Sequence, residues 1–238
     1  MAGKKAPIST SMTRSEIVTG MIFFFVYYLV MPFALTPVLN LISKLLGTSI
    51  GTSLGNLLYY FVLFAVTLAV FWRYLGANLS ALARHLNRSC ISLFAGLIAF
   101  YGLNELIYRV SASLLDSHVN LNDVTITAQA GIAPHMMAVI LILLAPFVEE
   151  VLFRGLIFGS LRENSRVVAY VISALLFAFG HVLRQLTLGL DLGALTLIFQ
   201  YLAPGLVFAW VYERAGNIWP SVLLHALVNA LAFFVVMV

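Results

Sequence analysis

The stretch LILLAPFVEEVLFRGLIFG, Leu141–Gly159, decides the fold. Apart from Glu149, Glu150 and Arg154, every residue in it is apolar or small. About 20 such residues in a row make a transmembrane helix. A charged side chain at the bilayer centre costs about 2.5–3.5 kcal/mol even on the mildest insertion scales, so intramembrane carboxylates point to function by default. Two in succession, with an arginine shortly after them, are hard to explain as packing.

The rest of the chain has the same character. Of 238 residues, 62% are hydrophobic and only 9% charged, and mean hydropathy is +1.03. Soluble domains carry about 25% charged residues. The composition gives an all-α, polytopic transmembrane helix bundle of about seven spans, with no room beside them for a soluble domain of ordinary size. The spans are expected at 17–42, 56–72, 90–115, 136–160, 167–184, 193–212 and 218–238. Spans one to three and their loops occupy 1–135, and spans four to seven form a catalytic core over 136–238, all within one integral domain. Gly47–Gly55 and Asp116–Pro134 read as loops, and Gly76–Arg88 as a short interfacial helix or a basic loop. The N-terminus is basic and leads into the apolar Ile17–Val30, like a signal peptide, but no small-residue cleavage site follows. It reads as a retained span, kinked at Pro32 and Pro37. There is no internal repeat. Cys90 is the single cysteine, so there is neither a disulfide framework nor a cysteine metal site.

Charge fixes the orientation. With the N-terminus inside, the inner segments hold Lys4, Lys5, Arg14, Arg73, Arg84, Arg88, Arg162, Arg166 and Arg214, and the outer ones Lys44 and Arg184. Basic residues gather on the cytoplasmic side of membrane proteins. The net charge of +4 is spread over these loops and implies no nucleic-acid partner.

Three spans carry side chains with catalytic chemistry. At 100° per residue, Glu149 and Glu150 face different ways, while Glu150 and Arg154, four apart, can pair. Glu149 is then the carboxylate free to react. Phe177 and His181 lie four apart in LLFAFGH, as do His225 and Asn229 in WPSVLLHALVNAL. Counting about 1.5 Å per residue from the inner end of each span, Glu149 lies roughly 16 Å deep, His181 about 21 Å, His225 about 10 Å and Asn229 about 16 Å. The four can share one layer. Singly, each histidine or the asparagine could be an interhelical hydrogen bond, and Phe177 packing. Together they have the composition of a metal or acid–base site. Glu105 and Arg109 read as a self-contained ion pair, and Arg184 and Asp191 as solvated ends. Gly155, Gly159 and Gly180 permit close helix approach and could border a wet cavity, in which case Gly155→Leu should cost activity more than folding.

EEVLFR (Glu149–Arg154), FAFGH (Phe177–His181) and HALVN (His225–Asn229) resemble, in order and separation, the EExxxR, FxxxH and HxxxN motifs of the CAAX protease and bacteriocin-processing (CPBP, Abi) family. The resemblance covers roughly 136–235. It implies an intramembrane endopeptidase, with a polar cavity open to the cytosolic side, acting on a peptide or membrane-associated protein. Carried over to these positions, Glu149 and His181 would activate a water, and His225 and Asn229 would stabilise the oxyanion. Glu150, Arg154 and Phe177 would support them. Either a Zn2+ ion held by Glu149, His181 and His225, or a metal-free Glu–His pair, is compatible with the motifs. The resemblance implies a metalloprotease, whereas the chemistry leans towards the metal-free pair. The compact chain resembles bacterial members, which places it in a bacterial plasma membrane. Rival readings are a proton-coupled transporter using the buried Glu and His and a non-catalytic membrane scaffold. Oligomeric state leaves no mark in the sequence.

Overall fold

A computed structural model describes residues 10–114, 121–187 and 192–237. Among them there are helices and short connections, and no strand. The helices are α1 (Arg14–Leu46), α2 (Thr52–Val70), α3 (Trp72–Arg84), α4 (Leu86–Leu114), α5 (Leu121–Ile132), α6 (Pro134–Arg162), α7 (Arg166–Leu186), α8 (Leu192–Ala215) and α9 (Trp219–Met237). Six of them, α1, α2, α4, α6, α7 and α8, are long and apolar enough to cross a membrane. The apolar part of α9, Trp219–Val235, is shorter, and it packs on α4, α6 and α8 as the seventh member of the bundle. Large apolar side chains such as Leu45, Ile98, Val167 and Val235 point outward, as a lipid-facing surface requires. The chain is a multi-pass integral membrane protein.

Local chemistry explains where the helices begin and bend. Thr13 caps α1: its hydroxyl accepts the Glu16 N–H at 3.2 Å, and the Glu16 carboxylate accepts the Thr13 N–H at 2.8 Å. The other Glu16 oxygen accepts the Tyr74 N–H at 2.9 Å, which ties the start of α1 to the start of α3. Helix α1 runs through both prolines, and its distortion is a π-helical turn at Val26–Val30, just before Pro32. Helix α6 carries two such turns, Val139–Leu144 and Val151–Phe158, on either side of the double glutamate. π turns are rare and gather at functional sites.

One sequence expectation changes, and one that left two readings open is decided. Part of the segment read as the loop Asp116–Pro134 is the helix α5. Its polar residues hide an apolar stripe, in which Ile126 and Ala130 pack against Met137, Ile140 and Phe233. Residues 116–120 of that segment lie outside the described residues. Of the two readings of Gly76–Arg88 the helix holds: it belongs largely to α3, which buries Tyr74, Leu75, Asn78 and Ala81 and turns Leu79 outward.

Polar contacts gather the basic residues at one end. Arg162 and Arg166 both bond Glu213, Arg88 donates to the Arg214 carbonyl, and Asn78 and Ser89 link α3 and α4 to the start of α9 through Ile218 and Asn217. Arg14, Arg73 and Arg84 belong to the helix ends joined there. At the opposite end the described residues include Lys44 and, near the end of α4, Arg109; Lys4, Lys5, Asp191 and the Arg184 side chain are not among the described residues.

Candidate active site

The double glutamate sits at the middle of α6, one turn after Pro146. In the π turn before it, the Ala145 N–H reaches the Ile140 carbonyl. The next bond of that series, to the Leu141 carbonyl, would have to come from residue 146, a proline without a donor. Asn229 of α9 takes that place, its Nδ2 donating to Leu141 O at 2.9 Å. One of its amide hydrogens is thus committed to structure and the second is available.

Glu149 and Glu150 point to different surroundings. Glu150 is fully buried. Its oxygens meet Arg154 Nη1 at 3.2 Å, His225 Nδ1 at 2.9 Å and the Ser221 hydroxyl. Arg154 is also fully buried, with its guanidinium 4.4 Å from the Phe177 ring centroid and 5.2 Å from that of Phe208, and its Nη2 donates to the Gly205 carbonyl at 3.2 Å. Both Glu150 oxygens are bonded, while Arg154 donates only through Nη2, its Nε and Nη1 making no hydrogen bond, and its charge is offset by the Glu150 ion pair and the surrounding rings.

Glu149 is different. Tyr27 of α1 donates to its Oε1 at 3.4 Å. Its Oε2 is buried without a hydrogen-bond partner and faces His181 Nε2 at 3.8 Å. His181 Nδ1 lies 2.8 Å from the Phe177 carbonyl. A carbonyl only accepts, so Nδ1 carries the hydrogen and a neutral ring turns its Nε2 lone pair toward Glu149. The imidazole is held flat against Tyr201, with centroids 4.6 Å apart, and His225 against Phe208 at the same distance.

Glu149, His181, His225 and Asn229 line one cavity of about 560 Å³. A second, of about 270 Å³ between α1 and α7, shares Glu149 and His181 with it. The three donors suited to zinc do not converge. His225 gives its Nδ1 to Glu150, and among the described residues no group of three His, Cys, Asp or Glu side chains could hold a metal ion. Gly155 and Gly159 line a separate small cavity at the basic end, and a Cβ on Gly155 would stand 2.9 Å from the buried Tyr74 hydroxyl. A leucine there would disturb packing first, contrary to the sequence expectation. Glu105 and Arg109 form an exposed pair at 2.6 Å.

Sequence reasoning missed Tyr27, Tyr59, Tyr60, Tyr201 and Ser221. Ser221 is one turn before His225, a polar residue on the same face. The tyrosine pairs Tyr27–Tyr28 and Tyr59–Tyr60 sit within spans rather than at their ends, an unusual depth for tyrosine.

With this geometry in view, residues 131–231 match the family described as type II CAAX prenyl endopeptidase Rce1-like. Over that region the chain is similar to the CAAX prenyl endopeptidases. All three motifs fall inside the match, whereas Tyr27, Tyr59 and Tyr60 fall outside it. The chain is 33% identical over 103 residues to "Putative membrane peptidase YdiL" of Bacillus subtilis (strain 168), covering 43% of this chain and 37% of that protein. It is 34% identical over 90 residues to "UPF0177 protein YxdF" of Lactococcus lactis subsp. lactis (strain IL1403), covering 38% of this chain and 44% of that one. It therefore spans less than half the length of either relative. No solved structure matches it significantly.

Proposed function

We propose that the chain is an intramembrane endopeptidase of a bacterial plasma membrane, hydrolysing a peptide bond in a peptide or membrane-associated protein by a metal-free route. The observation that carries this is the unpartnered, buried Oε2 of Glu149 facing His181 Nε2 at 3.8 Å on the wall of a large cavity. Two acceptors at that separation suit one bridging water, each taking one of its hydrogens. Glu149 removes a proton as the water oxygen attacks the scissile carbonyl carbon. The carbonyl π pair moves onto oxygen. Asn229 offers its second amide hydrogen to that oxyanion, and His225, held through Nδ1 by Glu150, lines the wall beside it. Collapse of the intermediate re-forms the carbonyl and breaks the C–N bond, and the proton on Glu149 passes to the leaving amine. Arg154 and Ser221 keep Glu150 charged and in place, which fixes the His225 ring. The alternative, with Glu149, His181 and His225 as zinc ligands, would need His225 to turn and the three donors to draw together.

Hydrolysis of a quenched fluorescent peptide library by the detergent-purified protein tests this. Wild type should cleave, Glu149→Ala should not, and a strong chelator should leave the rate unchanged. Loss of activity with chelator, rescued by zinc, would replace the metal-free route. Activity retained in Glu149→Ala would remove the proposal altogether.

A further inference from the structure

The polar space in this bundle is not centred. From Glu149 the main cavity runs toward the end opposite the basic residues, reaching Leu35 in the second half of α1, Asn56 near the start of α2, Met137 near the start of α6, and the exposed Asp123 and Thr127 of α5. Its α9 wall is Asn229, Ala232 and Phe233, again in the half away from the basic end. The cavity between α1 and α7 lies in that half too. Toward the basic end the way is filled. Val151, Leu152, Leu156 and Phe158 of α6 pack with Phe71, Tyr74 and Ile218, each 0 or 1% exposed. The small cavity beyond them, of about 170 Å³, shares no lining residue with the one at Glu149.

The basic end carries Arg14, Arg73, Arg84, Arg88, Arg162, Arg166 and Arg214, joined there by the contacts already described. Arginines close to span ends stay on the cytoplasmic side. We therefore infer that the active-site cavity opens on the extracytoplasmic face, and that the enzyme takes its peptide from there, as an exported peptide or the outward-facing segment of a membrane protein. This rests on the proposed peptidase reading for the substrate, but not for the opening. It is the reverse of the cytosolic opening that the motif resemblance implies. Helix α5, read from its composition as a loop, forms the rim. It is tied across the mouth by Asn56 Nδ2 donating to Gln129 at 2.8 Å, while Tyr201 donates to Asp123 at 3.4 Å.

The test uses the full chain in its membrane. With the lone cysteine removed by Cys90→Ser, three single cysteines are introduced: Thr127→Cys at the rim, Ala232→Cys inside the cavity and Asn87→Cys at the basic end. All three positions are exposed, so folding should survive. The probe is a small, membrane-impermeant charged methanethiosulfonate. In right-side-out vesicles the cysteines at 127 and 232 should react at least an order of magnitude faster than that at 87, and in inverted vesicles the order should reverse. Faster reaction at 87 in right-side-out vesicles would overturn the inference. So would reaction at 127 with none at 232, because the rim would then not lead inward. A membrane-impermeant quenched peptide library, added outside, should be cleaved by right-side-out vesicles of wild type and not by inverted ones; cleavage by inverted vesicles alone also overturns it. If the cysteines label from outside and neither vesicle cleaves, the opening stands and the peptidase reading falls.

Discussion

Glu149 and Glu150 are adjacent in sequence, yet they serve the two different halves of this bundle. Glu150 faces the half toward the basic end, where Arg154, Ser221 and His225 complete its bonds and aromatic rings close around the guanidinium. Glu149 faces the hollow half, with one long hydrogen bond from Tyr27 and an oxygen left open beside His181. Both are buried, so burial does not separate the carboxylate proposed to react from the structural one. What separates them is whether the bonding capacity is already used. A fully bonded carboxylate has no lone pair for substrate, and an open one has low local stability to lose.

The largest effect expected is on the bonded side. Glu150→Ala leaves Arg154 charged and unpaired in a dry site, at a cost of about 3–5 kcal/mol, a sizeable share of a typical folding free energy of about 5–15 kcal/mol. Folded yield and the thermal midpoint in detergent should fall sharply, and activity with them. Replacing both partners, Glu150→Gln with Arg154→Met, should recover part of the midpoint while activity stays low, because His225 has lost its anchor. An unchanged midpoint in Glu150→Ala would erase the distinction between the two carboxylates.

Next comes the open side. Glu149→Gln keeps the shape and removes the base, so hydrolysis should drop by about 10²–10⁴-fold, the usual contribution of general base catalysis. The midpoint should stay close to wild type. A loss of stability comparable to that of Glu150→Ala would mean that Glu149 is also a structural charge. Asn229→Ala lies between the two. It removes a proposed oxyanion donor, expected to lower kcat by about 10²–10³-fold. It also strips the Leu141 carbonyl of its donor, costing about 1–3 kcal/mol. Measuring kcat and the midpoint together separates these contributions. A shift in stability alone would leave Asn229 as a tie between α9 and α6.

Much of this division was legible in the sequence, for identifiable reasons. Spans announce themselves through apolar length, and Glu149, Glu150, Arg154, His181 and His225 stand out because each is costly where it lies. The i,i+4 spacing alone assigned Arg154 to Glu150. Other features have no such signature. Helix α5 was hidden because an amphipathic helix over a polar mouth has the composition of a loop. The π turns of α6 follow no residue pattern beyond Pro146, so the gap that Asn229 fills could not be foreseen. Nor does a motif say on which side of it the neighbouring helices stand apart, and only their packing sets the direction of the cavity. Gly155 was misread for the same reason: its small size serves Tyr74 and Met12 in the packed half.

The smallest effect expected is at Tyr27. Its hydroxyl is the one hydrogen-bond donor that reaches Glu149 from the described residues outside the family match, and it sits in the π turn of α1. A net hydrogen bond of about 0.5–1.5 kcal/mol corresponds to a change of a few-fold to about tenfold. Tyr27→Phe keeps the ring and its packing, so the midpoint should not move. If the hydroxyl positions Glu149, kcat should fall by that amount with KM unchanged, because the bond orients the base and does not touch the peptide. Equal changes in kcat and the midpoint would make Tyr27 a packing residue. A rise in KM alone would place it against the substrate, in the cavity between α1 and α7. Either result would redraw the hollow half: in the first, Glu149 is held from α6 alone, and in the second the wall contributed by the first span belongs to substrate binding.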